Sequence, residues 1–171
     1  MKFFELARSR YSVRKYSSAP IEEEKLAAII EAGRIAPTAC NNQPQRIFVA
    51  KSEEARSKLK EVCACTFDAP VILVVCYDKN RSWKNKLMPP YQSGETDASI
   101  VTTHMMLQAW ELGIGSCWVG WFSSDSVKEA LGLPEELVVS ALLPIGYPAE
   151  DSVPAPLHDS FLDKEETVAV I

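Results

Sequence analysis

The sequence predicts an α+β fold with an α/β-layered arrangement, in which about four strands form one sheet between helices. Three observations support this prediction. Segments with helical spacing of apolar residues are mixed with strand-like segments along the chain. The stretch "PVILVVCY" (70–77) is an uninterrupted apolar run of strand length. The 171 residues are 47% hydrophobic, which suits one domain (1–171) with a substantial core.

The first half of the chain is expected to contain three helices and one strand before the apolar run. Glutamates at 22–24 suit the positive end of a helix dipole, and Pro and Asn are typical of loops. In chain order, the predicted elements are a short helix over 3–9, a helix opened by Pro20, a loop over 36–45, a strand over 46–50 and a helix capped by Ser52.

The second half is expected to alternate between strands and helices. The run 70–77 predicts a central strand that is buried on both faces. It is followed by an irregular loop over 79–95, a long helix over 96–112, a strand over 115–122, a short helix over 124–131 and a strand over 137–147. The long helix is apolar on most sides, which predicts burial in a larger core or against another subunit. The β-prone tail (167–171) has no evident partner, so we expect a dimer in which it adds a strand to the neighbouring subunit.

Charge and cysteine content argue against several classes of function. The net charge of -5 disfavours nucleic acid or an anionic membrane as the main partner. No secretory signal is visible, and the run 70–77 is too short to span a bilayer. The five cysteines are odd in number and form no Cys-x-x-Cys, which favours reduced thiols in a cytoplasmic protein. With only two histidines, the sequence also argues against a metal site.

The segment "RSRYSVR" (8–14) concentrates positive charge and hydroxyl groups in an acidic chain. Arg10 and Ser12 are two residues apart, so in an extended segment they project to the same side and can bind phosphate oxygens. Arg14 can then reach a second acceptor on the same ligand. Taken alone, the cluster is more typical of a solvated basic face at a helix end.

Common catalytic and phosphate-binding motifs are absent from the sequence. There is no Gly-x-x-x-x-Gly-Lys-Ser/Thr loop, and Gly113-x-Gly115 lacks a third glycine at the spacing of a dinucleotide-binding motif. The two histidines, His104 and His158, are too isolated to support a Ser-His-Asp or Cys-His arrangement. The sequence therefore names no catalytic acid–base residue.

Several segments, taken in order, resemble the nitroreductase family of FMN-dependent oxidoreductases. They are "RSRYSVRKY", a following proline with an amphipathic helix, "APTACNNQP", "GIGSCWVGWF" and "LLPIGYPAE". The resemblance runs from about residue 8 to residue 149. It implies a nitroreductase-like central mixed, mainly antiparallel sheet flanked by helices, with a C-terminal strand exchanged with the partner subunit. It also implies a homodimer that holds one FMN in each of two pockets at the interface.

The resemblance assigns FMN-binding roles to three motifs. The first has the form Arg-x-Ser-x-Arg/Lys, with Tyr11 inside it. It implies that Arg10 and Ser12 hold the phosphate and the ribityl chain, and that Arg14 lies near the pyrimidine edge of the flavin. A cation at that edge favours the reduced flavin, which carries negative charge at N1 and O2.

The other two motifs lie in the middle and the later part of the chain. The second is matched by Pro37, Thr38, Ala39, Asn41 and Gln43, in a loop that in the family reaches the flavin of the other subunit. The third is matched by Trp118, Val119 and Gly120, where backbone groups resemble those beside flavin N5 and O4. Without the resemblance, the second motif is a plain helix-to-strand connection and the third motif is a buried strand end.

The function implied by the resemblance is that of an FMN-dependent NAD(P)H oxidoreductase. Hydride passes from NAD(P)H to flavin N5 and then to a nitroaromatic, a quinone or a similar flat acceptor, with ping-pong kinetics. The flavin supplies this chemistry, which explains why the sequence shows no catalytic acid–base set.

Two other classes of function stay open. The family usually offers a C-terminal Lys or Arg to the FMN phosphate, whereas this chain has His158 and Ser160. Phosphate affinity is then either weaker or restored by Arg8. This difference and the short loop 79–95 motivate a non-enzymatic flavin-binding protein for storage or sensing. The basic cluster alone motivates a flavin-free module that binds an acidic partner.

Overall fold

The computed structural model describes residues 2–171 of the chain, and these form helices on both sides of one sheet. The helices are α1 (Phe3–Ser9), α2 (Glu23–Arg34), α3 (Glu53–Val62), α4 (Gly94–Glu111), α5 (Ser124–Leu131) and α6 (Lys164–Thr167). The strands are β1 (Gln45–Ala50), β2 (Val71–Asp78), β3 (Gly115–Ser116) and β4 (Leu137–Gly146). Within residues 2–171, no helix is both long enough and apolar enough to cross a membrane.

The sheet has the strand order β1-β2-β4-β3, and each neighbouring pair is antiparallel. This confirms the expectation of a mainly antiparallel sheet, and an isolated parallel bridge joins Ser12 to Ser116 at its outer edge. A β-bulge interrupts the pairing of β2 with β4, because Val75 faces Ala141 while Cys76 faces Val139.

Two apolar cores lie on opposite faces of the sheet, which confirms the layered arrangement. Val71, Leu73 and Val75 of β2 pack against the side of α2 and α4, whereas Ile72 and Val74 pack toward α3 and α5. Successive strand residues point to opposite faces, so a strand between two helical layers must be apolar at every position. This is the physical basis of the run 70–77.

One predicted strand is much shorter than expected. The sequence predicts a strand over 115–122, but β3 ends at Ser116. The Cys117 N–H still donates to the Pro144 carbonyl (3.1 Å), but proline has no N–H to return a bond. Val119 then pairs with Leu142 only through an isolated bridge. The proline of β4 therefore interrupts the regular ladder on this side.

The C-terminal arm, residues 153–171, contributes to neither core. Every residue of 159–171 is exposed, and the arm's only helix among these described residues is the four-residue α6. Its large apolar side chains are open to solvent, with Leu157, Phe161 and Leu162 each at least 70% exposed. Val168 is extended after α6, but residues 168–171 form no strand within this chain. The strand exchange expected for this tail stays a prediction.

Candidate functional site

The first motif lies where α1 stops and the chain becomes extended. Arg10 leaves the helix with φ -66° and ψ 133°. The Val13 N–H donates to the Ser116 carbonyl (2.9 Å), and the Val13 side chain is fully buried. Because side chains alternate along an extended segment, Ser12 and Arg14 project away from the face that Val13 buries. The sheet edge thus presents a hydroxyl and a cation on one side.

Two neighbours fix this segment against the end of the sheet. The Tyr16 hydroxyl donates to the Val13 carbonyl (2.9 Å) and lies 3.0 Å from the Pro144 carbonyl. Burial raises the pKa of Tyr16, so the phenol stays neutral and keeps these bonds. Gly115 is needed on the other side, because a Cβ there would lie 2.6 Å from Cγ2 of Val13. The position of the first motif is therefore set by packing.

The positive charges of Arg10 and Arg14 act on Cys117, the residue just before the third motif. Burial raises the pKa of the Cys117 thiol, whereas Arg14, a hydrogen bond with Ser12 and Arg10 act in the opposite direction. Next to it, the buried Ser116 Oγ has no hydrogen-bond partner within residues 2–171. A buried hydroxyl without a hydrogen-bond partner is rare in folded proteins, and this one adjoins in sequence the thiol that the two arginines influence.

Arg10 also lines an open cleft between α1 and the C-terminal arm. The cleft has a volume of about 510 Å³, and Arg8 and His158 line it together with Phe4 and Phe161. Two guanidinium groups and an imidazole suit a phosphate, which takes several charge-assisted hydrogen bonds. The residues available to this end of the molecule thus fit the phosphate of FMN.

In the third motif, only the middle residue pairs with the sheet through its backbone. The Val119 N–H donates to the Leu142 carbonyl (2.9 Å), so it is committed to β4. Neighbouring residues of an extended segment point the other way, which leaves the N–H groups of Trp118 and Gly120 to face the open side. A Cβ built on Gly120 meets no atom within 4 Å. A backbone contact to a flavin ring would therefore come from Trp118 or Gly120.

The second motif is held by a carboxylate that sequence reasoning missed. Asp97, only 2% exposed, accepts the Ala39 N–H at Oδ1 (2.8 Å) and the Ser93 hydroxyl at Oδ2 (2.7 Å). Inside the loop, the Gln43 N–H donates to Thr38 Oγ1 (3.1 Å). A charged residue on the buried face of an apolar helix was the one signal in the sequence that could have found Asp97.

The same loop adopts a backbone conformation that most residues avoid. Cys40, Asn41 and Gln43 have φ values of 51°, 52° and 49°, in the left-handed region. Such conformations persist only where the surrounding structure determines them, and they cluster at binding and switch sites. Pro37, Cys40, Asn41 and Gln43 are exposed on this loop, while Thr38 and Ala39 are half-buried.

The three motifs do not all lie together within the chain. The first and third motifs are neighbours at the β3 edge. The second motif is bonded to Asp97 near the start of α4, whereas Trp110 near its end donates to Ser9 Oγ (2.9 Å). Thirteen residues of α-helix separate these two anchors, a distance of about 20 Å. The second motif therefore lies at the far end of the molecule from the arginines.

Tyr11 has a different neighbourhood from the other residues of the first motif. Its hydroxyl lies 3.2 Å from the Ser152 carbonyl and 3.3 Å from Ser152 Oγ. Its ring packs edge-on against Trp110 (5.2 Å between centroids) and edge-on against His158 (6.3 Å). The side chain of Tyr11 thus ties the base of the C-terminal arm to α4.

The layered sheet, the extended arginine segment and the loop anchored on α4 define one class of protein. The chain belongs to the nitroreductase family, whose family model matches residues 7–68 and 63–147.

Several known proteins resemble the chain over most of its length. A nitroreductase family protein of Clostridium difficile 630 has 39% sequence identity and a TM-score of 0.92, covering 99% of this chain and 98% of its own. An FMN-dependent nitroreductase of Clostridium difficile R20291 has 28% identity and a TM-score of 0.79, with 98% of both chains covered. An FMN reductase [NAD(P)H] of Bacillus subtilis is 29% identical over an alignment of 174 positions, which covers 91% of this chain and 70% of that protein.

Proposed function

We propose that the chain is an FMN-dependent NAD(P)H oxidoreductase whose flavin pocket is completed at a homodimer interface. The observation that supports this best is the pairing of Ser12 in the first motif with Ser116, two residues before the third motif, beside a cleft lined by Arg8, Arg10 and His158. The names of two relatives, an FMN-dependent nitroreductase and an FMN reductase [NAD(P)H], favour the same cofactor and electron donor.

Different residues of this chain would bind different parts of the FMN. Arg10 and Ser12 would hold the phosphate and the ribityl chain, and Arg14 would lie at the pyrimidine edge, where a cation favours a negatively charged ring. When bound, FMN supplies hydride transfer from NAD(P)H to a nitroaromatic, a quinone or another flat acceptor, in two alternating half-reactions. The protein's part is to bind and orient, as expected for a site without an acid–base set.

A second copy of the chain would bring the remaining motif to this pocket. Pro37, Thr38, Ala39, Asn41 and Gln43 belong to a loop anchored on Asp97, whereas the arginine segment is anchored on Trp110 through Ser9. These two anchors are about 20 Å apart along α4, so the loop and the arginines would line one close-fitting pocket only if two chains contributed them. An apolar groove of about 470 Å³ beside α4, lined in part by Phe3, Ile35 and Leu107, offers a surface for that copy. The exposed apolar side chains of the C-terminal arm offer a second surface.

The visible absorption spectrum of the purified protein tests the cofactor. We expect a yellow protein, and we expect excess FMN to raise the melting temperature of any flavin-free fraction. The proposal would be contradicted by a colourless protein whose melting temperature is unchanged by FMN.

Anaerobic mixing of the yellow protein with NADH or NADPH separates the enzyme from a passive flavin binder. Prompt bleaching of the flavin band is expected for the oxidoreductase. A flavin that neither nucleotide bleaches would favour the alternative, a protein that stores or senses flavin.

A further inference from the structure

A second concentration of positive charge lies in the loop between β2 and α4. The segment "KNRSWKNK" (79–86) carries Lys79, Arg81, Lys84 and Lys86, four cations within eight residues of a chain whose net charge is -5. The sequence predicted only an irregular loop here, and the proposed flavin site uses none of these residues. Their function is therefore open.

These cations are not neutralised within the chain. None of the four forms an ion pair with a carboxylate in the part of the chain that the structure describes, although Lys15, Lys51 and Lys58 each do. The carboxylate of Asp78, at the start of the loop, accepts the Asn80 N–H (2.8 Å). Unpaired like charges in one loop repel each other. An anion that bound among them would relieve this repulsion and also form favourable contacts.

The loop folds into a cleft of a size and lining that suit a nucleotide. The cleft has a volume of about 480 Å³ and is lined in part by Lys79, Lys84, Asn85 and Tyr91. The loop is closed at its base, where the Trp83 N–H donates to Ser93 Oγ (3.2 Å). Tyr91 is 40% exposed, so its ring can stack on a base, while the lysines and the Asn85 amide offer donors to phosphate and sugar.

The basic loop lies directly beside the second motif. Asn42 Nδ2 donates to the Arg81 carbonyl (3.1 Å), and an Arg81 guanidinium N–H donates to the Asn42 carbonyl (3.4 Å). Ser93, which closes the basic loop, also bonds Asp97, the residue that holds Ala39. Under the proposed function, the second motif covers the flavin of the partner subunit. The cations then lie on the loop next to the one that covers this flavin, where the far end of a dinucleotide could reach them while its nicotinamide ring approaches the flavin.

We propose that the loop 79–86 binds the adenosine end of the reduced dinucleotide and selects NADPH over NADH through the 2′-phosphate. This inference rests on the proposed function. The 2′-phosphate adds a charge of about -1.5 to -2 at neutral pH, which NADH lacks. Lys79 and Lys84, on the cleft, bind that phosphate, and Tyr91 packs against the adenine. Arg81 keeps the loop docked on the second motif.

Adenosine 2′,5′-bisphosphate tests the site without any turnover. Isothermal titration of the protein as purified, at low ionic strength, compares this probe with 5′-AMP. We expect the bisphosphate to bind at least about tenfold more tightly than 5′-AMP. The double variant Lys79→Gln/Lys84→Gln should lose that difference, and the matched variant Lys58→Gln/Lys60→Gln, which removes two lysines of α3, should keep it.

Steady-state kinetics give the second readout. In the Lys79→Gln/Lys84→Gln variant we expect kcat/KM for NADPH to fall by about tenfold or more, and kcat/KM for NADH by less than about threefold. Equal losses with both nucleotides, equal binding of the two probes, or a native preference for NADH would each overturn the inference. A flavin that neither nucleotide reduces would instead count against the proposed function, and the titration would still decide whether the loop reads a 2′-phosphate.

Discussion

Arg10 owes its position to the end of α1. The helix stops at Ser9, the chain turns extended, and the guanidinium reaches a cleft that it shares with Arg8 and His158. The residue has no carboxylate partner in the described part of the chain, so its charge is available to a ligand. This is the arrangement expected of a phosphate-binding arginine.

Replacing Arg10 by Ala should therefore weaken FMN more than riboflavin. Loss of a charge-assisted hydrogen bond costs about 1.5–3 kcal/mol, or about a 10- to 150-fold increase in the dissociation constant. Riboflavin has no phosphate, so its affinity should change little. Fluorescence titrations with both flavins measure the difference, and an unchanged FMN affinity would remove Arg10 from the site.

Asp97 acts at the same scale but on the backbone of a loop. Replacing it by Ala leaves the Ala39 N–H and the Ser93 hydroxyl without their acceptor, at a cost of about 1–3 kcal/mol in the free energy of unfolding. The loop should also lose its left-handed conformation, so FMN affinity should fall. The Asn variant keeps an acceptor oxygen for Ala39 and should recover most of both losses. Urea unfolding and flavin titration measure both effects. Equal losses in the Asp97→Ala and Asp97→Asn variants would contradict this role of Asp97.

At the scale of elements, β3 has two glycines nearby with opposite surroundings. A Cβ on Gly115 would lie 2.6 Å from a methyl group of Val13, whereas a Cβ on Gly120 meets nothing within 4 Å. The first glycine serves the contact between the arginine segment and the sheet. The second leaves space that no atom of this protomer fills.

The two Ala variants should therefore separate packing from flavin binding. Gly115→Ala should lower stability by about 1–3 kcal/mol, as overpacking does, with or without flavin. Gly120→Ala should leave the melting temperature of the flavin-free protein unchanged and weaken FMN binding. Thermal unfolding and flavin titration of both variants measure this, and a Gly120→Ala protein with native FMN affinity would place the ring elsewhere.

At the scale of elements, the sequence predicted the features whose physical cause lies in the same segment. It missed those whose cause lies far along the chain. The strand β2 was predictable because burial on both faces requires an apolar residue at every position over 71–77. The early end of β3 was not, because its cause is Pro144, far along the chain on the neighbouring strand. Asp97 was missed for the same reason, since the residue it holds is 58 positions away. The cofactor residues were predicted only through family resemblance, because hydroxyls and arginines in one segment are also typical of a solvated face.

At the scale of the whole molecule, the chain exposes much apolar surface. The C-terminal arm exposes Leu157, Phe161 and Val170, and an open groove runs beside α4. An arm that contributes nothing to either core gains little from staying ordered alone. Packing against a second copy would bury both surfaces.

Removing residues 153–171 should therefore abolish the dimer and leave each protomer folded. All residues of the arm except the half-buried His158 are exposed, so the two cores should keep their circular dichroism and melting behaviour without FMN. Sedimentation velocity should show a monomer, and FMN should no longer be retained. A truncated protein that still sediments as a dimer would show that the groove beside α4 suffices.

The separation of two binding motifs along α4 has a genetic consequence. If each pocket takes its arginines from one chain and its loop from the other, two defective subunits can repair each other. In a mixed dimer of Arg10→Ala and Asp97→Ala chains, one pocket carries both lesions and the other carries neither. Co-expression of the two should recover about one intact pocket for every two subunits in such hybrids, whereas each variant alone should recover none. Complementation of this kind is open only to a protein whose working unit straddles two polypeptides.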